Sequence, residues 1–148
     1  MADEDLIEGK LSRAVIGAFF EVYDEMGHGF LEHLHAKGME RELTSRGLTV
    51  TREKSVPVYL KEWCLGDQRI DMLVNERLVV EIKSSYNLPN SAIRQLHNYL
   101  RCTDLEVGLL LHFGPKPAFH RQLVTNDRKA HGRLRRHTDL TDKDGPDG

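Results

Sequence analysis

Asp71 and the triplet Glu81-Ile82-Lys83 are the residues whose types and spacing suggest chemistry. Residues 68–85 read Gln-Arg-Ile-Asp-Met-Leu-Val-Asn-Glu-Arg-Leu-Val-Val-Glu-Ile-Lys-Ser-Ser, two apolar segments hinged at Asn75-Glu76-Arg77. Leu-rich and β-branched runs of this length favour strands, and a polar hinge between them makes a hairpin. A lone charge inside such a run is costly to bury without a partner. Acids at these positions therefore need a reason.

Alternation along a strand puts Glu81 and Lys83 on one face and Ile82 on the other. The turn decides where Asp71 falls. With a two-residue loop at Asn75-Glu76, Val74 pairs with Arg77 and Asp71 diverges from Glu81. With three loop residues, Val74 pairs with Leu78 and Asp71 lies directly across from Glu81. The odd loop is the reading adopted, because the even one leaves three charges unexplained. Directly opposed carboxylates repel, and a divalent cation resolves the conflict. Mg²⁺ takes oxygen ligands at roughly 2.0–2.1 Å and keeps several waters, so a few carboxylates with a backbone carbonyl suit it. Lys83 would then assist deprotonation of a water or stabilise developing negative charge. That is chemistry for hydrolysing a phosphodiester. The competing reading is a pair of surface carboxylates on a sheet, with Lys83 in an ordinary cross-strand ion pair, and a short motif alone does not separate the two.

The surrounding elements must carry these groups. Ile7, Leu11, Val15, Ala18, Phe19, Val22 and Met26 recur at spacings of three and four, predicting an amphipathic helix over residues 6–26 that Gly27 and Gly29 end. A second helix over about residues 30–46 places Glu32, Ala36, Met39 and Leu43 on one row. Glu32 heads this otherwise apolar row in the first turn, where the helix dipole favours a carboxylate. It is either a capping-type glutamate or a third ligand. Strands are expected over residues 48–52 and 56–63, with a turn at Leu65-Gly66-Asp67 leading into the central hairpin. A third helix, capped by Asn90 or Ser91 after Pro89, faces the core with Ile93, Leu96 and Leu100. Gln95 and Tyr99, at i and i+4, flank that row, either reaching a phosphate or base or serving as boundary polarity. A buried strand over residues 107–113 and a weaker extended stretch over 119–124 complete the pattern.

Jointly, several segments resemble the small prokaryotic GxxExxR proteins, a branch of the PD-(D/E)XK nuclease superfamily. They are Gly27-His-Gly-Phe-Leu-Glu32, Glu42-Leu-Thr-Ser-Arg-Gly-Leu48, Val56-Pro-Val-Tyr59, Arg69-Ile-Asp-Met-Leu-Val74, Val80-Glu-Ile-Lys83, Gln95-Leu-His-Asn-Tyr-Leu100 and Gly108-Leu-Leu-Leu-His-Phe-Gly114. The arginine of the name-giving pattern would fall at His35, so no role of that arginine carries over. The resemblance implies an α/β fold, a central mixed β-sheet flanked by helices in a restriction-endonuclease-like core. It further implies a Mg²⁺-dependent nuclease, with Mn²⁺ as a substitute. Asp71, Glu81 and Lys83 would be catalytic; Glu32, Asp71, Glu81 and the Ile82 carbonyl would hold the metal. Gln95 and Tyr99 are similar to the substrate-lining pair of exonuclease-like branches. Fold is not function, and members of the superfamily include binding and structural proteins.

Composition bounds the rest. At 148 residues, with 39% hydrophobic and 30% charged, the chain suits one core. One domain is expected over residues 1–126, followed by a charged, flexible tail over 127–148. Arg128, Lys129, Arg133, Arg135 and Arg136 form the strongest basic patch there, either solvated or binding phosphate. No run approaches the roughly 20 apolar residues of a membrane span, and the acidic Met1-Ala-Asp-Glu-Asp5 is unlike a secretory signal. A cytoplasmic protein is expected, without membrane contact. Cys64 and Cys102 form neither a disulfide framework nor a zinc knuckle. His33 and His35, two apart on a helix, face different sides and do not make a metal pair. A net charge of −2 speaks against a polyanion partner, although local patches outweigh the sum. Two readings stand: a metal-dependent phosphodiesterase acting on nucleic acid, DNA ahead of RNA, or an idle module of the same fold that binds nucleic acid or a protein. A small-molecule hydrolase is a distant third, and a homo-oligomer is compatible with either of the first two.

Overall fold

The computed structural model describes residues 6–129. Helix α1 (Gly9–Met26) buries Val15, Ala18, Phe19 and Val22 along the expected stripe. It stops at Gly27, whose φ of 70° lies in the left-handed region that glycine enters freely. Helix α2 (Glu32–Ser45) buries His35, Ala36, Met39 and Leu43. Strands β1 (Val50–Leu60), β2 (Trp63–Val74) and β3 (Leu78–Lys83) follow, then helix α3 (Asn90–Arg101) and strands β4 (Val107–Phe113) and β5 (Pro117–Leu123).

The five strands form one sheet in the order β1-β2-β3-β4-β5. Only β3 and β4 run parallel, and α3 makes the crossover that a parallel pair requires. α1 and α2 cover one face, packing on Met72, Val74, Leu78, Val80, Ile82, Leu109, Leu111 and Phe113. α3 covers the other, with Ala92, Leu96, Tyr99 and Leu100 against Ile70, Leu73, Val79 and Leu110. At Gly108 the helix lies so close that a Cβ would come within 2.7 Å of Leu96. The expected α/β architecture, a central mixed sheet flanked by helices, is the one observed.

Several local expectations are corrected. The two short strands expected over 48–52 and 56–63 are one strand, and the hairpin turns at Lys61-Glu62. Leu65-Gly66 is instead a bulge inside β2, where the register shifts between Val58 and Tyr59. A glycine followed by aspartate marks bulges as well as turns. In α3 the N-cap is Pro89, with no side-chain cap bond. Lys129 is no part of an exposed basic patch: it is buried, and its Nζ donates to the carbonyls of Thr103 and Leu105. Arg128 of that patch is exposed, at the end of a single 3-10 turn over Asn126–Arg128. Arg133, Arg135 and Arg136, with the tail from residue 130 on, lie outside the described residues. Both cysteines are free thiols, Cys64 exposed and Cys102 half-buried. Among the described residues no helix is long and apolar enough to cross a membrane.

Candidate active site

The central hairpin adopts the odd loop. Val74 pairs with Leu78, Leu73 with Val79 and Met72 with Val80. Asn75 and Glu76 both take positive φ, 52° and 57°, and the Arg77 N–H closes the turn on the Val74 carbonyl at 3.0 Å. The Asn75 side chain then accepts from the Thr49 N–H at 2.9 Å, pinning the turn to the chain that enters β1.

Continuing this register sets Asp71 across from Glu81, but the regular pairing ends at Met72 and Val80. Side chains take over. The Ile82 N–H donates to Asp71 Oδ2 at 2.7 Å, and the Asp71 N–H points to Glu81 Oε2 at 3.4 Å. The other edge of β2 is irregular at the same level. β1 pairs Arg52 with Met72 and Lys54 with Ile70, while Glu53, across from Asp71, has a φ of 52°. Met72 packs under α1 and α2, whereas Ile70, two residues away, packs under α3. Simple alternation would keep them on one face. The strand therefore changes faces just beyond Asp71, a rotation invisible in the sequence.

Electrostatics follow from that placement. Burial, and then the neighbouring Asp71 carboxylate, push the Glu81 carboxyl up to about 8. Lys83, on the same face of β3, works in the opposite direction. Glu32 stands in the first turn of α2. It is exposed by area yet partly desolvated, which raises its pKa, while Lys83 lowers it and Asp71 raises it. Glu32, Asp71, Glu81 and Lys83 thus share one field. They do not yet form a closed cage: among the described residues no three His, Cys, Asp or Glu side chains stand close enough to hold a metal ion. Asp71 and Glu81 are the tight pair, and Glu32 stands off at the rim.

The residues nonetheless fit a hard divalent cation. Two carboxylates that accept from main-chain N–H groups, one driven toward its protonated form by burial and then by the other, are the oxygen donors such an ion seeks. A second sign is the Tyr99 hydroxyl, which is buried without a hydrogen-bond partner. It lies under the influence of Glu81, whose charge, after burial, helps raise the phenol's pKa. Gln95 and Tyr99 do not flank α3 together as expected. Gln95 is exposed, while Tyr99 is only 3% exposed and joins the core; Ile93, expected there, is half-buried. A tyrosine can bury its ring and present a polar tip, so its position was open to either reading.

One contributor escaped sequence reasoning. His35 is fully buried, with Nδ1 2.7 Å from Ser84 Oγ and Nε2 3.0 Å from the Gly27 carbonyl. On the opposite face, His112 Nε2 meets the Ser85 carbonyl at 2.7 Å. Two histidines thus grip the two residues that follow Lys83. The only signal in the sequence was the Ser84-Ser85 pair itself, small and polar directly after an apolar strand.

The mixed sheet between two helical layers is consistent with a restriction-endonuclease-like α/β fold. The family model of the PD-(D/E)XK nuclease superfamily matches residues 9–123, and the chain belongs to that superfamily. A solved structure, that of SSO0001, is similar in fold, with a TM-score of 0.50 at 21% identity. The match covers 77% of this chain but 59% of SSO0001. No curated protein matches the chain.

Proposed function

We propose that the protein is a metal-dependent nuclease of the GxxExxR branch that hydrolyses phosphodiester bonds of nucleic acid, with DNA the first substrate to test. The observation that carries this reading is the opposition of Asp71 and Glu81 at the end of the β2–β3 pairing, with Lys83 on the same face. A part-buried pair of carboxyl groups is unfavourable as two charges without a cation, and a fold that retains one invites a functional explanation.

Asp71, Glu81, the Ile82 carbonyl and, from the rim, Glu32 would hold Mg²⁺, or Mn²⁺ in its place. When bound, the ion supplies Lewis-acid charge at the phosphate and a more acidic water. The Lys83 ammonium, beside the pair, steadies negative charge as the water oxygen bonds to phosphorus and the opposite P–O bond breaks. Tyr99 acts from below, its hydroxyl available to hold Glu81 in one orientation. Gln95, exposed on α3, offers its amide to the sugar–phosphate backbone. A cytoplasmic location suits this chemistry.

The test is direct. Purified protein with Mg²⁺ or Mn²⁺ should cleave single- or double-stranded DNA or RNA, and Asp71→Ala or Lys83→Ala should lower the rate by at least about a hundredfold. Equal activity in the variants would reject these roles. The rim position of Glu32 and the net charge of −2 favour a second reading, an idle module that binds nucleic acid or a protein partner. It predicts binding without turnover and an affinity unchanged by Lys83→Ala.

A further inference from the structure

Four elements converge on the His35 ring. It projects from α2 one turn after Glu32, on the same side of the helix, since residues three apart are neighbours there. Its Nε2 meets the carbonyl of Gly27, the residue that ends α1. Its Nδ1 meets the hydroxyl of Ser84, the residue after the last of β3. The ring stacks on Phe113 of β4 at 4.0 Å and 15°, while Phe30 stands edge-on at 5.7 Å. The orientation is fixed on every side.

The proton positions are fixed as well. A carbonyl only accepts, so Nε2 must carry the hydrogen and donate to Gly27. A neutral ring then has a bare Nδ1, which accepts from the Ser84 hydroxyl. Burial lowers the pKa of His35 and favours this neutral form, against the opposing pull of the Gly27 bond. The two hydrogen bonds are made by different atoms and cannot substitute for each other. Losing either would leave a buried polar group unpaired.

We propose that His35 is a positioning residue for the acidic site: by tying α2 to Ser84 it sets where Glu32 stands relative to Lys83 and the Asp71–Glu81 pair. Glu32 and Lys83 each sit a short, stiff step from this junction, one along a helical turn and the other by a single peptide. Glu32 is the outlying member of the four, so it depends most on how α2 is docked. The inference rests on the metal-site reading above. It adds that the reach of Glu32 is held by a histidine bonded at both ring nitrogens.

Mn²⁺ affinity of the full chain, measured by calorimetry, tests this without any substrate. His35→Phe keeps the stacking ring and removes both hydrogen bonds, while Ser84→Ala removes one from the other end. Loss of such a supporting contact weakens a metal site by roughly ten- to a hundredfold. We expect His35→Phe to weaken Mn²⁺ binding by about tenfold, and Ser84→Ala to weaken it less. The Glu32→Gln background supplies the decisive comparison. There neither substitution should cost anything further, because both act through Glu32. An equal loss in both backgrounds, or no loss in either, would overturn the positioning role while leaving the metal site in place. If His35→Phe fails to fold, Ser84→Ala alone carries the comparison. If the unsubstituted protein binds no Mn²⁺, the metal-site reading falls and this inference falls with it.

Discussion

The β2–β3 hairpin has two halves built on opposite principles. Nearest the turn, Met72, Leu73 and Val74 face Val80, Val79 and Leu78 in regular pairing, and none of the six is more than 3% exposed. One residue further along, Asp71 and Glu81 continue the register, but regular pairing stops and carboxylates accept from main-chain N–H groups instead. The first half gains stability from apolar burial on both faces of the sheet. The second sets two carboxyl groups side by side in a partly dry place, where Glu81 holds its proton up to about pH 8. One hairpin thus holds the molecule together at one end and carries a costly acidic pair at the other.

The contrast breaks most plainly by cutting into the apolar half. Leu78 is completely buried in the cluster beneath α1 and α2. Leu78→Ala should cost about 2–5 kcal/mol of unfolding free energy, measured by urea denaturation. Glu81→Gln should do the reverse in metal-free protein. It removes the charge, keeps an oxygen to accept from the Asp71 N–H, and should stabilise by roughly 1–3 kcal/mol above about pH 8. Destabilisation by Glu81→Gln would mean that the two halves do not differ as described.

That second effect has a definite pH signature. Glu81 titrates near 4.5 in an ordinary setting and at about 8 in the folded protein. Between these values the folded chain keeps a proton that the unfolded chain has lost, so stability falls as pH rises. The contribution is fully present below about 4.5 and is gone above about 8. Other carboxylates also titrate at the acidic end, so the informative quantity is the difference between the protein and Glu81→Gln. That difference should widen from pH 5 to pH 8, in favour of the variant, and then level off. A difference independent of pH would remove the desolvated acid from the site.

The two halves were not equally legible. The choice of three loop residues followed from asking which register lets Asp71, Glu81 and Lys83 act together, and Val74 does pair with Leu78. The flanking runs are apolar at every position, so the charges alone carried that information. The rotation at Asp71 could not be read, because it coincides with a left-handed Glu53, and glutamate, unlike glycine or asparagine, does not advertise that conformation. His35 stood at a position that helical spacing assigns to the core, and a polar residue there looks like an exception until its two partners are known. Gly66 misled in the other direction, since its backbone freedom serves a bulge rather than a turn. Periodicity reports which face a residue takes; it does not report where a strand changes faces or where a polar side chain finds its partner.

Tyr99 offers the finest test, because it belongs to both halves. Its ring packs with Leu73, Val79 and Leu110, yet its hydroxyl lies unpartnered within the influence of Glu81. An unmade hydrogen bond in a buried place costs free energy, and deleting the group while keeping the ring relieves it. Tyr99→Phe should therefore be neutral or stabilising by up to about 1 kcal/mol in metal-free protein. A loss greater than that would show that the hydroxyl already has a partner. With Mn²⁺ present the sign should change. An ion that fixes Glu81 as a carboxylate turns it into a strong acceptor, and the phenol becomes its natural donor. Tyr99→Phe should then weaken Mn²⁺ binding by a few-fold, and this loss should vanish in the Glu81→Gln background. The same hydroxyl should thus be a small burden on the metal-free protein and a small support once Mn²⁺ is bound.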